Sequence, residues 1–118
     1  MIDAVIVEDD FANRKLIGIL MTKEGWKVRE AEGGEEALSF IAEKRPNVLV
    51  TDINMPSMTG LELMRRVQKV YPGLTVIALT SDQWDREKLL SEGFDEVLDK
   101  PLDKEKLEKV LSQIQNKE

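Results

Sequence analysis

Apolar residues fall along this chain in two alternating rhythms. The runs Ala4–Val7, Val48–Thr51 and Thr75–Leu79 are short, almost wholly apolar and rich in β-branched side chains. Strands buried on both faces of a parallel sheet read this way. Two weaker runs, Trp26–Arg29 and Glu96–Leu98, mix apolar and charged positions and suit sheet edges. Between the runs the spacing changes to that of helices. Leu16, Ile17 and Leu20 are expected on one face of a segment from about Phe11 to Lys23. Ala37, Leu38 and Ile41 do the same in the next, and Leu63, Met64, Val67 and Val70 in the third. Gln83–Glu92 has only Trp84, Leu89 and Leu90 to anchor it, whereas Leu107, Val110, Leu111 and Ile114 form the most regular stripe. Asp103 is placed to cap that last helix. Pro46 and Pro72 stand where helices tend to stop. Five strands alternating with five helices predict one doubly wound α/β domain over residues 1–118, with right-handed crossovers.

Composition narrows the chemistry. Among 118 residues there is no cysteine and no histidine, which excludes disulfides, thiolate metal sites and the commonest general base. A metal here would be held by oxygen, as Mg²⁺ is. The net charge of −6 disfavours direct binding to nucleic acid or an anionic membrane. Met1–Asp10 carries four acids and does not read as a signal peptide. No apolar run approaches the ~20 residues needed to span a bilayer, so the expected compartment is the cytoplasm.

In open α/β sheets the ligand site lies beyond the carboxyl ends of the strands. The first strand runs into Glu8, Asp9 and Asp10, the third into Asp52 and Asn54, the fourth into Thr80, Ser81 and Asp82, and the fifth into Asp99, Lys100 and Pro101. With strands one and three adjacent, Glu8, Asp9 and Asp52 converge. Clustered carboxylates repel one another, and a divalent cation is their natural partner. A carboxylate nucleophile, Mg²⁺, a lysine and a hydroxyl are the parts of a phosphoryl-transfer site. Singly, each residue has a plainer reading. Asp10 reads as a helix cap, Thr80 as a strand end and Lys100 as a surface lysine. Gly33–Gly34 reads as a turn or helix entry, and Met55, Met58 and Met64 as packing. The joint placement at four strand ends favours chemistry.

These motifs resemble the response-regulator receiver family along the whole chain. "VIVEDD" is similar to its acidic first strand, and "VTDINMPSMTG" to the segment around its phosphoacceptor, with Asp52 in that role and Pro56 and Gly60 at the family's offsets. "VIALTS" and "VLDKP" are similar to its strands ending in Thr80 and in Lys100 followed by Pro101. The resemblance implies a flavodoxin-like sheet in the order 2-1-3-4-5. It implies Mg²⁺ held by Asp9, Asp52 and the carbonyl of Asn54, with Glu8 acting through water. Thr80 and Lys100 would contact the phosphoryl oxygens, and the Lys100–Pro101 bond is often cis in this family.

Further expectations follow from that resemblance. A histidine kinase or phosphotransfer domain would donate the phosphoryl group. "DDFANRKLI" is similar to receivers attached to hybrid histidine kinases. A downstream protein or attached output domain would read the switch. The chain would catalyse only its own phosphorylation and dephosphorylation, the latter governed by Asn54 and Asp82 at the site mouth. A phosphatase of the haloacid dehalogenase type would want a second Asp where this chain has Asn54, and a cap domain that has no room here. A receiver kept only for protein contacts would have lost acids or the lysine. One position departs from the family. Val97 stands where an aromatic residue commonly couples to the threonine, so Thr80 and Val97 are the switch positions in question, and the signal is expected to pass through Gln83–Glu92, with Trp84 as a reporter.

Overall fold

A computed structural model describes residues 2–81, 86–100 and 102–117. Five parallel strands, β1 (Asp3–Val7), β2 (Lys27–Ala31), β3 (Val48–Asp52), β4 (Thr75–Thr80) and β5 (Glu96–Asp99), pair in the order β2-β1-β3-β4-β5. The helices are α1 (Phe11–Lys23), α2 (Gly34–Glu43), α3 (Gly60–Val70), α4 (Arg86–Glu92) and α5 (Lys104–Lys117). This is the doubly wound, flavodoxin-like arrangement expected from the sequence. The expectations for Asp82, Gln83, Trp84 and Pro101 lie outside the described residues.

Alternation along each strand divides the core into two layers. Ala4 and Ile6, Val48 and Val50, Ile77 and Leu79, and Leu98 join Ile17 and Met21 of α1 and the stripe Leu107, Val110, Leu111 and Ile114 of α5. Val5 and Val7, Leu49, Val76 and Ala78, and Val97 join Ala37 and Ile41 of α2, Leu63, Met64 and Val67 of α3, and Leu89 of α4. Each fully buried aliphatic side chain stabilises the fold by about 1.5–3 kcal/mol relative to exposure.

Local signals set the helix ends. Asp10 caps α1, its carboxylate accepting from the Asn13 N–H at 2.8 Å. Thr59 caps α3 by accepting from the Glu62 N–H at 3.1 Å, and Asp103 caps α5 by accepting from the Glu105 N–H at 2.8 Å. Gly25, at φ 89°, lets the chain turn out of α1 so that the Trp26 N–H returns to the Met21 carbonyl at 3.1 Å.

The structure corrects some readings. The stripe of α1 that faces the sheet is Arg14, Ile17, Gly18 and Met21, while Leu16 is exposed. The apolar stem of an arginine can cover core surface while its head reaches a polar partner, so charge hid Arg14 from a hydrophobic pattern. Val70, at the end of α3, is also exposed. β2 spans Lys27–Ala31 in place of Trp26–Arg29, because its pairing with β1 continues to Val7 opposite Ala31. At the other edge, the Val97 N–H donates to Glu96 Oε1 at 3.1 Å and Arg86 donates to the Val97 carbonyl at 2.6 Å. An Arg86–Glu96 ion pair closes the ring.

Candidate functional site

Both neighbours of β1 are parallel to it, and the chain leaves β1 for β2 on one side and reaches β3 on the other. A crevice opens at such a reversal, outside the carboxyl ends of the strands. Glu8 and Asp9 follow β1 directly, and Asp52 ends β3. One carboxylate oxygen from each lies within 4.8 Å of the others. Glu8 is fully buried, Asp52 is 5% exposed, and Asp9 lies at the surface.

Lys100 enters from the end of β5. Its N–H donates to the Thr80 carbonyl at 2.8 Å, which fixes where its side chain begins. Its ammonium lies 2.7 Å from Glu8 Oε1 and 3.1 Å from Asp52 Oδ1. Burial pushes the Glu8 carboxyl up to about 7; Lys100 opposes this, and the neighbouring Asp52 adds to it. Burial works against the Lys100 ammonium, but Glu8 and Asp52 outweigh it and hold its pKa above the ordinary value. The second Glu8 oxygen, Oε2, is buried without a hydrogen-bond partner. An all-oxygen donor set, an excess of negative charge and an orphaned carboxylate oxygen together fit a hard divalent cation.

The loop after β3 is shaped by close approach. A Cβ on Gly60 would lie 2.1 Å from the Asp52 carbonyl oxygen, so only glycine lets α3 begin here. The Gly60 N–H then donates to the Ile53 carbonyl at 2.9 Å. Between them the Met58 N–H reaches back to the Pro56 carbonyl at 2.8 Å, with Ser57 at φ 71°. That tight turn on a non-glycine residue stores strain of about 1–3 kcal/mol beside the site. Met55, Met58 and Met64 are buried packing residues, and Asn54 is exposed two positions after Asp52.

Thr80 is buried, and its hydroxyl donates to the Ser81 carbonyl at 3.0 Å. Val97 is buried in the layer that contains α2, α3 and α4, opposite Ala78 of β4. The structure thus brings Glu8, Asp9, Asp52 and Lys100 together, with Thr80 at the adjoining strand end. Sequence reasoning missed the direct Lys100–Glu8 pair and the place of Arg14, whose guanidinium donates to the Glu8 carbonyl at 2.7 Å. The spacing of Arg14 from Ile17, Gly18 and Met21 was the signal that could have found it.

Residues 4–112 match the family described as the response regulator receiver domain. The chain belongs to that family. Receivers act in two-component phosphorelays, in which an aspartate accepts a phosphoryl group and the domain switches conformation. The transcriptional regulatory protein GlrR of Escherichia coli K12 is 35% identical over 105 residues, which is 87% of this receiver but only 24% of GlrR. A response regulator receiver domain protein from Clostridium thermocellum superposes with a TM-score of 0.92 at 25% identity, covering 99% of this chain and 96% of that one. The chemotaxis protein CheY4 of Vibrio cholerae gives 0.89 at 29% identity, covering 97% and 98%. Among the described residues, no helix is long and apolar enough to cross a membrane.

Proposed function

We propose that Asp52 is the phosphoryl acceptor of this receiver. The convergence of Asp52 with Lys100 at 3.1 Å and with two further acids carries the reading. An oxygen of Asp52 attacks phosphorus on the phosphohistidine of a kinase or phosphotransfer domain. An O–P bond forms, the P–N bond breaks, and the donor nitrogen leaves with the electron pair. Asp9, Asp52 and the carbonyl of Asn54 would hold Mg²⁺, with Glu8 acting through water. When bound, Mg²⁺ supplies positive charge against the oxygens of the transferring group.

Lys100 supplies a further positive charge, held in place by Glu8 before any phosphoryl group arrives. Preorganised charge of this kind costs no rearrangement at the moment of reaction. The Thr80 hydroxyl turns from the Ser81 carbonyl to the new phosphoryl oxygens, since a charged acceptor makes the stronger hydrogen bond. That movement alters the surface that a downstream protein or attached output domain reads. The chain catalyses its own phosphorylation and dephosphorylation and turns over no other substrate. Its working compartment is the cytoplasm, where ATP-fed kinases act.

Incubation with a small phosphodonor and Mg²⁺, followed by intact-mass measurement, tests the assignment. One added phosphoryl group is expected, and Asp52→Asn should abolish it. Full labelling of the Asn variant at another residue would overturn the reading.

A further inference from the structure

Arg14 is 7% exposed, lies on the inner stripe of α1, and donates to the Glu8 carbonyl at 2.7 Å. That carbonyl belongs to the peptide linking Glu8 to Asp9, just past the point where β1 stops pairing with β3 at Val7 opposite Thr51. The arginine is itself held from the β2 side. Its Nε lies 3.6 Å from Glu30 and its Nη2 3.8 Å from Glu32. A Cβ on Gly18 would come within 3.1 Å of Glu30 Oε2, so the missing side chain there gives the Glu30 carboxylate its room against α1. Gly18, Glu30 and Arg14 thus form a chain of supports that ends on the backbone of the acidic turn.

We propose that Arg14 is a positioning residue for the metal-binding acids. By fixing the Glu8–Asp9 peptide it aims the Asp9 carboxylate toward Asp52, a role that rests on the metal assignment above. Groups that orient a ligand without touching the metal are commonly worth a tenfold or larger change in affinity. Lysine cannot replace arginine here. Its single ammonium lacks the fork that reaches a carbonyl and a carboxylate together.

The sign of the effect separates positioning from charge. Taking a cation away from a dication site weakens repulsion and should tighten Mg²⁺ binding. Losing the aim of Asp9 should loosen it. Mg²⁺ titration of the full chain, followed by amide NMR shifts, gives the dissociation constant, and thermal melts run alongside. Arg14→Met and Arg14→Lys are each expected to weaken Mg²⁺ binding about tenfold. Gly18→Ala keeps every charge but crowds the Glu30 carboxylate that anchors Arg14, and it should weaken binding to a smaller degree. Gly18→Ala also carries the test if the Arg14 variants fail to fold. Unchanged or tighter Mg²⁺ binding in the folded variants, with only a lower melting temperature, would overturn the proposal. Asp9→Asn serves as the control. Unchanged affinity in that variant would overturn the metal assignment and this proposal with it, whereas lost affinity there and none lost at Arg14 would overturn this proposal alone.

Discussion

The ammonium of Lys100 is 2.7 Å from a carboxylate oxygen of Glu8, a fully buried acid 92 residues earlier in the chain. Burial, with Asp52 close by, raises the Glu8 carboxyl from 4.5 to about 7 despite the lysine. Between these two values the folded chain binds more protons than the unfolded one, so stability falls as pH rises through that window. In chelator, the parent should therefore lose stability between pH 5 and about pH 7 through this group. Glu8→Gln should remove that component and gain about 1–3 kcal/mol over the parent at pH 7.5. Thermal melts of both proteins at the two pH values check this. A variant with the same slope as the parent would show that another group carries the effect.

Lys100→Met leaves two carboxylates without their cation. Removing one partner of a buried pair commonly costs about 3–5 kcal/mol. Here Glu8 can take up a proton, which caps the loss. The variant should fold, melt lower than the parent at pH 7.5, and recover much of the difference at pH 5.5 or with added Mg²⁺. It should also respond poorly to a phosphoryl mimic in amide NMR spectra. A full response would remove Lys100 from the proposed role.

Gly60→Ala places a methyl group 2.1 Å from the Asp52 carbonyl oxygen, where the atom in the way is backbone. Either the start of α3 or the end of β3 must move. We expect a loss of about 3 kcal/mol by urea unfolding, at the upper end for overpacking, together with slower phosphorylation. Alanine at Gly33, where an added Cβ meets nothing within 4 Å, is the matched control.

Val97→Ala should separate packing from switching. The side chain is 1% exposed, so truncation should cost about 2 kcal/mol. Valine is short and held to few rotamers, so it offers no swing like that of an aromatic ring. Amide shifts induced by a phosphoryl mimic should be nearly unchanged in the variant. Loss of the response with Asp52 still labelled would make Val97 a switch residue.

Most of the fold is legible because the three central strands carry almost unbroken apolar runs, and an apolar run needs no partner to be recognised. The acids are legible because they lie at the ends of those runs, and Lys100 because it follows the weaker run of β5. What escapes are relations in space. Nothing in "VEDDFANR" shows Arg14 folding back onto the carbonyl of Glu8, and a charge on a helix is ordinarily read as solvated. The need for glycine at position 60 comes from the approach of α3 to Asp52, which a one-dimensional pattern does not encode. The true stripe of α1 was hidden because Arg14 and Gly18, which are not hydrophobic, occupy two of its four buried positions.

The ring that Arg86 of α4 closes with Glu96 and Val97 of β5 bears on how this molecule behaves when crowded. An open sheet margin is a template on which copies of a chain can polymerise, or on which an extended peptide can be captured. At Val97 both backbone groups are already engaged by side chains of the same molecule. A newcomer would have to displace those side chains, and part their ion pair, before pairing with the main chain at this residue. At Val97 the margin therefore disfavours main-chain pairing with another strand.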